Sequence, residues 1–505
     1  MDDVEQLKQD VREGRIDPDR LVGLIVTLQR QLQESNQRLD EAKRRIEELE
    51  KKLGGSATAK TTEPFSMRAE EQRQRARGKK SGKRKRQLRR GRITTADKIA
   101  LAERTEKVFP AGVAQSDCWL SHTRPVWRLE NGRALLVAYE VYRGPKNRFG
   151  GIPGTLGRSE FGYEIILAIA YQVYIVGLSF DKVCLLMNFF QNLRLRKSQV
   201  DSLLSQLSRY WTSEFDGLCT LLAHSAVVHT DETSWSLRSV WAFLSEKVRV
   251  LFFGVYKDAE TLKQILDPAT FAGMVISDDA AVYANFTQAQ KCWAHLLRKA
   301  IKLTLLEPHN AEYRKLADRL LEIYRAACRV QADGRLGDAG RKRKVAKLDD
   351  EILELCGPMW CAELPPLEGT DNDYRLLCNE LMRLMLAQQL FTFVTAAPVA
   401  MPSGETRPVA GTNNEAERTL RGAAQARKTG RTSKTFAGAR RQTVITSVME
   451  SLRQQLPTFT LSTVIGEILR WQRAGRSCFA SLMTKLKLSS PVPSVLDILL
   501  PIPAD

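Results

Sequence analysis

Apolar residues recur along this chain in two rhythms, and the changes between them divide it. Near the N-terminus, Ile25, Leu28, Leu32, Ser35, Leu39, Ala42, Ile46, Leu49 and Leu53 alternate steps of three and four, with charged residues between them. That spacing predicts a heptad seam within residues 1–53. It reads either as a coiled coil joining copies of the chain or as a helix packed on its own chain. Ser35 and Ala42 fill their seam positions poorly, so a zipper of modest stability is expected. Residues 54–67, with Gly54-Gly55 and a Ser/Thr/Ala stretch, read as a linker. Short alternations such as Leu135-Leu136-Val137-Ala138 suggest strands in a small irregular or β module over 105–155. Helical spacing returns over 156–222. The longest apolar run there, Tyr163 to Leu178, is interrupted by Glu164 and Gln172 and is too short to span a bilayer, which predicts a buried helix. Gly177-Leu178-Ser179 separates two segments, and Ser198 is expected to cap a helix from Gln199 to Tyr210. Two short helices around a tight break fit a helix-turn-helix and a small helical bundle equally.

From Ser225 the rhythm becomes strand-like. Val227 to Asp231 is a short apolar run ending in an acid. Val240–Ser245 and Val248–Tyr256 predict a hairpin, Thr261–Leu266 a short helix, and Gly273 to Asp278 a second apolar strand ending in an acid. Residues 307–405 read as a helical insertion with a basic patch at Arg341-Lys342-Arg343-Lys344, and Phe391–Val394 as one last strand. Gly411 to Gln425 reads as a loop entering a helix that carries Glu417, within a segment 406–455; residues 456–505 close the chain as a helical region.

Charge changes this picture. The net charge is +19, and thirteen Lys or Arg between Arg68 and Arg92, against Glu70 and Glu71, supply +11 of it. A run this dense, within residues 54–104 and just after an oligomerising helix, favours phosphate-backbone contact through Lys83, Arg84, Lys85, Arg86, Arg89 and Arg90 over a merely solvated tail. It would supply affinity and salt dependence without sequence choice. The nine cysteines are scattered, with no CxxC pair. That argues against a disulfide framework and for a reducing cytoplasm. The N-terminus has no signal-like segment. Cys118 and His122 are spaced like half a metal site, with ordinary packing the stronger reading.

Two strand-end acids, Asp231 and Asp278, and a helical acid, Glu417, follow the order of a ribonuclease H-like sheet, where strand ends and one helix converge. Hard divalent cations take such oxygen ligands. Two ions roughly 3.5–4 Å apart clamp the attacking and leaving oxygens of a phosphoryl displacement. Alone this pattern is weak, because most strand-end Asp residues cap turns.

The flanking residues carry a resemblance. His229-Thr230-Asp231-Glu232-Thr233-Ser234-Trp235 is similar to the first-Asp motif of the insertion sequence sixty-six family of bacterial transposases. Ser277-Asp278-Asp279-Ala280-Ala281-Val282-Tyr283 resembles its second-Asp block, although Asp279 stands where Gly is usual. Cys292-Trp293-Ala294-His295 resembles a downstream signature, and Asn413-Asn414-Glu415-Ala416-Glu417-Arg418, with Leu420-Arg421 and Arg427-Lys428, its third-acid block. The resemblance implies an α/β ribonuclease H-like core, split into 223–306 and 406–455, with Asp231, Asp278 and Glu417 catalytic and holding two Mg2+ or Mn2+ ions. It passes over Glu232, Asp279 and Glu415. Adjacent strand residues face opposite ways, which agrees for Glu232; Glu415 and Glu417 stand about 200° apart on a helix. It also implies cleavage of double-stranded DNA at terminal inverted repeats, joining of 3′-hydroxyl ends to target DNA, homo-oligomers, small accessory proteins of the same element, and a bacterial, nucleoid-associated location without a membrane. Arg418, Arg421, Arg427 and Lys428 read as DNA-backbone contacts or a solvated face. Asn413 and Asn414 read as capping the helix entry. Cys292 and His295 read more readily as a core thiol and a satisfied histidine than as ligands, and His295 also as a phosphate contact. Family members often carry a paired-Cys zinc element after the basic region; only Cys118 remains here, which argues against a structural zinc. The rival readings are an inactive transposase-derived DNA-binding protein, a nuclease of the same fold without strand transfer, and a structural protein built on its heptads.

Overall fold

The computed structural model describes Gln33 and residues 93–360, 368–401, 404–489 and 494–501. The heptad seam (apart from Gln33), the linker and the basic segment with Lys83, Arg84, Lys85, Arg86, Arg89 and Arg90 lie outside the described residues. The chain divides into Met1–Lys80 and Ser81–Asp505, and everything below concerns the second unit.

That unit is mixed α/β. A short helix, α1 (Thr95–Ala100), precedes a small sheet of β1 (Arg104–Val108), β2 (Trp119–Glu130), β3 (Arg133–Gly144) and β4 (Arg148–Phe149). Strands β2 and β3 pair in register up to Glu130 and Arg133. The two residues between them, Asn131 and Gly132, both have positive φ, the backbone that a two-residue hairpin turn requires and that Asn-Gly accepts. Cys118 Sγ donates to the Ala114 carbonyl, and His122 is exposed on β2.

Helices α2 (Tyr163–Ala170), α3 (Phe180–Gln191), α4 (Lys197–Tyr210) and α5 (Thr212–Ala223) follow. The apolar run from Tyr163 is a buried α-helix only to Ala170; it then widens into a π turn over Tyr171–Ile175. The expected cap at Ser198 falls instead at Arg196, because the Gln199 side chain turns back to accept the Arg196 amide and the helix starts at Lys197.

The central sheet contains β5 (Val227–Ser234), β6 (Ser239–Ser245), β7 (Arg249–Val255), β8 (Met274–Ser277) and β9 (Ala289–Lys291), in the order β7-β6-β5-β8-β9. Strands β5, β6 and β7 are antiparallel neighbours; β8 and β9 add in parallel after the crossover through α6 (Ala259–Ile265). Every residue of β6 is buried, so both faces of the sheet are covered. One face shares a core with α2–α5 and with the C-terminal helices α13 (Phe436–Gln455), α14 (Leu461–Ala474), α15 (Cys478–Lys485) and α16 (Val495–Leu499). Helix α12 (Asn414–Lys428) covers the other face through Leu420 and Ala423, which join Trp235, Val240, Leu251 and Phe253.

The outer edge of β7 is closed by side chains rather than by another strand. The amides of Arg249, Leu251 and Phe253 donate to Ser451 Oγ, Ser447 Oγ and Thr443 Oγ1 at 3.0, 2.9 and 2.9 Å. Ser451 and Ser447 hydroxyls donate back to the Arg249 and Leu251 carbonyls. Four residues of α-helix advance about 6 Å and two of a strand about 6.8 Å, so a hydroxyl at every fourth helical position meets every second strand residue. An open sheet edge is thereby satisfied without becoming a template for another chain.

Between the central sheet and α12 lie α7 (Trp293–Leu306), α8 (Ala311–Ala332), α9 (Asp338–Trp360), α10 (Gly369–Leu386), α11 (Thr392–Thr395) and the pair β10 (Val399–Ala400) and β11 (Thr406–Arg407). These helices have their own core, which meets the sheet at Val227 and Ile276. The strand expected over Phe391–Val394 is instead the single turn α11. Buried Gln290 on β9 takes up its polar groups: Gln290 Oε1 accepts the Phe393 amide and Nε2 donates to the Leu390 carbonyl. With those bonds made by a side chain, the segment has no need of a strand ladder. Among the described residues, no helix is long and apolar enough to cross a membrane.

Candidate active site

Strand register brings the first two acids level. Val227, Val228 and His229 of β5 pair with Met274, Val275 and Ile276 of β8. Carrying that register two positions further sets Asp231 opposite Asp278. Asp278 follows the last residue of β8, as expected, whereas β5 does not end at Asp231 but continues to Ser234. The reason is β6, which pairs with β5 as far as Ser234↔Ser239, while β8 has already stopped. Asp231 therefore lies where β5 has lost one neighbour and kept the other.

Side chains and backbone stitch the third acid to the same place. Asn413 Nδ2 donates to the carbonyl of Thr230, next to Asp231, at 2.7 Å. The Asn413 amide donates to Cys292 Sγ at 3.1 Å, and the Cys292 amide to the carbonyl of Ser277, next to Asp278, at 2.9 Å. Thr230, Asn413, Cys292 and Ser277 thus form one hydrogen-bonded chain that joins both strands to the start of α12. Glu417 sits one turn into that helix, its amide bonded to the Asn413 carbonyl at 3.2 Å. Asn413 occupies the cap position but makes no side-chain cap bond; its amide group is committed to β5. The capping role expected for it is replaced by this cross-link.

Electrostatics report the convergence. Burial, the first cause, and the nearby charges of Glu232, Asp278 and Glu417 push the Asp231 carboxyl up from 3.8 to about 7, against one backbone hydrogen bond that lowers it. Neighbouring acids have other employment. Glu232 points to the opposite face of β5, is buried, and receives the Tyr283 hydroxyl and Lys257 Nζ, the latter at 2.7 Å. Asp279 pairs with Arg383 of α10. Glu415 pairs with Arg249 of β7, whereas Glu417 is held by Arg298 at 2.6 Å.

Sequence reasoning passed over several cations around these acids. Buried Lys291 donates to the Asp278 carbonyl at 3.0 Å and to Ser277 Oγ at 3.3 Å, fixing the turn that aims Asp278; burial lowers its pKa. Lys257, half-exposed, has its pKa raised by Glu232 first and also by Asp278 and Asp231. Lys291 ends the short strand β9 and Lys257 stands just after β7, and an isolated Lys in either place carries no signal of its partner. Arg298 lies one helical turn beyond His295 on α7, a spacing visible in the sequence. With Ala294, Asn414, Glu417, Arg418 and Arg421 it lines a hollow of about 460 Å³. Arg418 and Arg421 are exposed there, as is Lys428 further along α12. Arg427 is directed inward, to the Ser234 carbonyl at 2.9 Å and to the Ser234 hydroxyl.

The class defined by these observations is a mixed α/β protein in which acids from two adjacent strands and one crossing helix lie close enough to act on one another's charge, beside a row of arginines. Residues 158–441 match the family model described as Transposase IS66 family, a stretch covering more than half of the 505 residues, and the chain belongs to that family. All four sequence blocks that carried the resemblance fall inside the matched stretch. The chain has no match among curated proteins.

Proposed function

We propose that this transposase-family chain cuts DNA at the ends of its element and joins the 3′-hydroxyl ends to target DNA, using Asp231, Asp278 and Glu417 on a ribonuclease H-like core. The sheet order supports the core: three antiparallel strands, then two parallel ones, with the first strand central and a covering helix bearing the last acid. The single observation that carries the reading is that Asp278 and Glu417 both lie near enough to Asp231 to add to burial and to Glu232 in raising its carboxyl to about 7.

A divalent cation fits this donor set, because carboxylate oxygens are the ligands Mg2+ and Mn2+ prefer and their mutual repulsion is relieved by positive charge. Asp231, Asp278 and Glu417 would hold the ions, which supply Lewis acidity at the scissile phosphate and lower the pKa of bound water. The rest is done by the chain's own groups. Lys291 and the Ala280 amide, which donates to Asp278 Oδ1 at 3.1 Å, hold Asp278 in its turn. Asn413 sets the position of α12 against β5. Arg298 orients Glu417, and Arg418, Arg421 and Lys428 offer charge to the DNA backbone, joined by the basic segment of Lys83–Arg90.

The test is cleavage of end-containing duplex DNA with Mg2+, then strand transfer with pre-cleaved ends. Wild type should give both products, and Asp278→Ala neither. Equal cleavage by both proteins sinks the site. Cleavage without joining identifies a nuclease of this fold, and binding without cleavage an inactive descendant. Homo-oligomers through the heptads and accessory proteins of the element belong to the same proposal.

A further inference from the structure

The block Cys292-Trp293-Ala294-His295 opens α7 beside the start of α12. Cys292 stands at the cap of α7, where Ser, Asn or Asp is the usual choice. Its sulfur is buried, accepts the Asn413 amide, and is faced by the amides of Ala294 and His295. His295 is one helical turn on. The satisfied-histidine reading fails for it: Nδ1 is buried and has no hydrogen-bond partner. Leaving such an atom unpaired costs roughly 1–3 kcal/mol. Glu417 Oε1 lies 3.6 Å from it.

Cys292 Sγ, a ring nitrogen of His295 and a Glu417 carboxylate oxygen all lie within 4.8 Å of one another. Ligand distances of about 2.3 Å for sulfur and about 2.0–2.2 Å for nitrogen and oxygen put the edges of a tetrahedral zinc site at roughly 3.3–3.7 Å. The His295–Glu417 edge already has that length, and the sulfur edges need to close by about 1.3 Å at most. Amide donors around a sulfur are compatible with a metal-bound thiolate, since they stabilise its charge.

We infer that Cys292, His295 and Glu417 bind one thiophilic divalent ion of the zinc class, and that this site competes with the catalytic centre for Glu417. The second half rests on the reading of Glu417 as a catalytic acid. The donor chemistry separates the two sites. Mg2+ favours the all-oxygen set of Asp231, Asp278 and Glu417, whereas thiolate and imidazole select zinc or cobalt. Arg298 now holds Glu417 Oε1; its side chain is 53% exposed and can swing away as the carboxylate turns toward the sulfur. Filling the Cys292 site therefore removes one arm from the magnesium site, and zinc inhibits.

The experiment titrates Co2+ into the full-length, metal-free, reduced protein and reads the absorption of cobalt. Wild type should bind one ion with a sulfur-to-cobalt charge-transfer band and the intense visible bands of a tetrahedral site. Cys292→Ser should lose the charge-transfer band, and Asp231→Asn and Asp278→Asn should keep it. His295→Ala, which leaves the thiol in place and guards against misfolding of the Cys292 variant, should weaken Co2+ binding by at least about tenfold, since even supporting residues cost 10–100-fold. In Mg2+-dependent DNA cleavage, His295→Ala should raise the half-inhibitory Zn2+ concentration by at least about tenfold. No charge-transfer band in wild type, or a band that survives in folded Cys292→Ser, overturns the proposal. The two readings fail separately: a cobalt site with full cleavage by Glu417→Gln removes the catalytic role of Glu417, and no cobalt site with Glu417→Gln inactive removes only the zinc site.

Discussion

Asp231→Asn should stabilise the metal-free protein while abolishing its cleavage of DNA. In the folded chain the Asp231 proton is held to about 7; in the unfolded chain it leaves near 3.8. Below 3.8 both states are protonated and the site carries no penalty. Between 3.8 and about 7 the folded state keeps a proton that the unfolded state has lost, so stability falls as pH rises. Above 7 the carboxylate is charged in both states and the penalty is complete. At ~1.4 kcal/mol per pH unit, the interval sets a ceiling of about 4 kcal/mol, and solvent access to the partly buried carboxyl reduces it to the order of 2–4 kcal/mol. Asparagine keeps the shape and an oxygen to accept the Glu232 amide, which donates to Asp231 Oδ1 at 3.0 Å, and adds no charge. In EDTA at pH 8 the variant should melt a few degrees above wild type, and the two should converge at pH 4. Mg2+ should raise the melting temperature of wild type far more than that of the variant, because an ion that binds only the folded state stabilises it by mass action. Equal melting temperatures in EDTA at pH 8 would refute the claim that these acids crowd, and full cleavage by Asp231→Asn would refute their role.

Three further outcomes are expected. Ser447→Ala removes a hydroxyl that both accepts from and donates to Leu251, leaving a buried amide and carbonyl of β7 unpaired; urea denaturation should show a loss of about 1–3 kcal/mol, and no change means the helix does not seal this edge. Asn413→Ala should cost about 1–3 kcal/mol by the same assay and lower the cleavage rate of the folded protein, since it uncouples α12 from Thr230; a wild-type rate would show that the cross-link does not position Glu417. Glu415→Gln should cleave DNA and Glu417→Gln should not, measured side by side on the same DNA; reversed activities would assign the wrong acid of the pair.

Much of this protein is written in local patterns, and the physical reason is that strand and helix periods are properties of neighbouring residues. The alternation over 225–256, the apolar strand before Asp278 and the helix carrying Glu417 were all legible, as was the separation of Asp231 from Glu232 by the two faces of a strand. The Asn131-Gly132 turn was equally local and went unread. What residues far apart do to one another was not legible. The sequence alone cannot show that β6 carries β5 past Asp231, that Gln290 turns Phe391–Val394 into a helical turn, or that Thr443, Ser447 and Ser451 close the β7 edge. Nor does it show that Asn413 bridges to Thr230 instead of capping its own helix. The three candidate acids were singled out by their flanking blocks. Their proximity is a product of tertiary structure alone, because register, crossover and one buried chain of hydrogen bonds bring Asp278 and Glu417 near enough for their charges to act on Asp231.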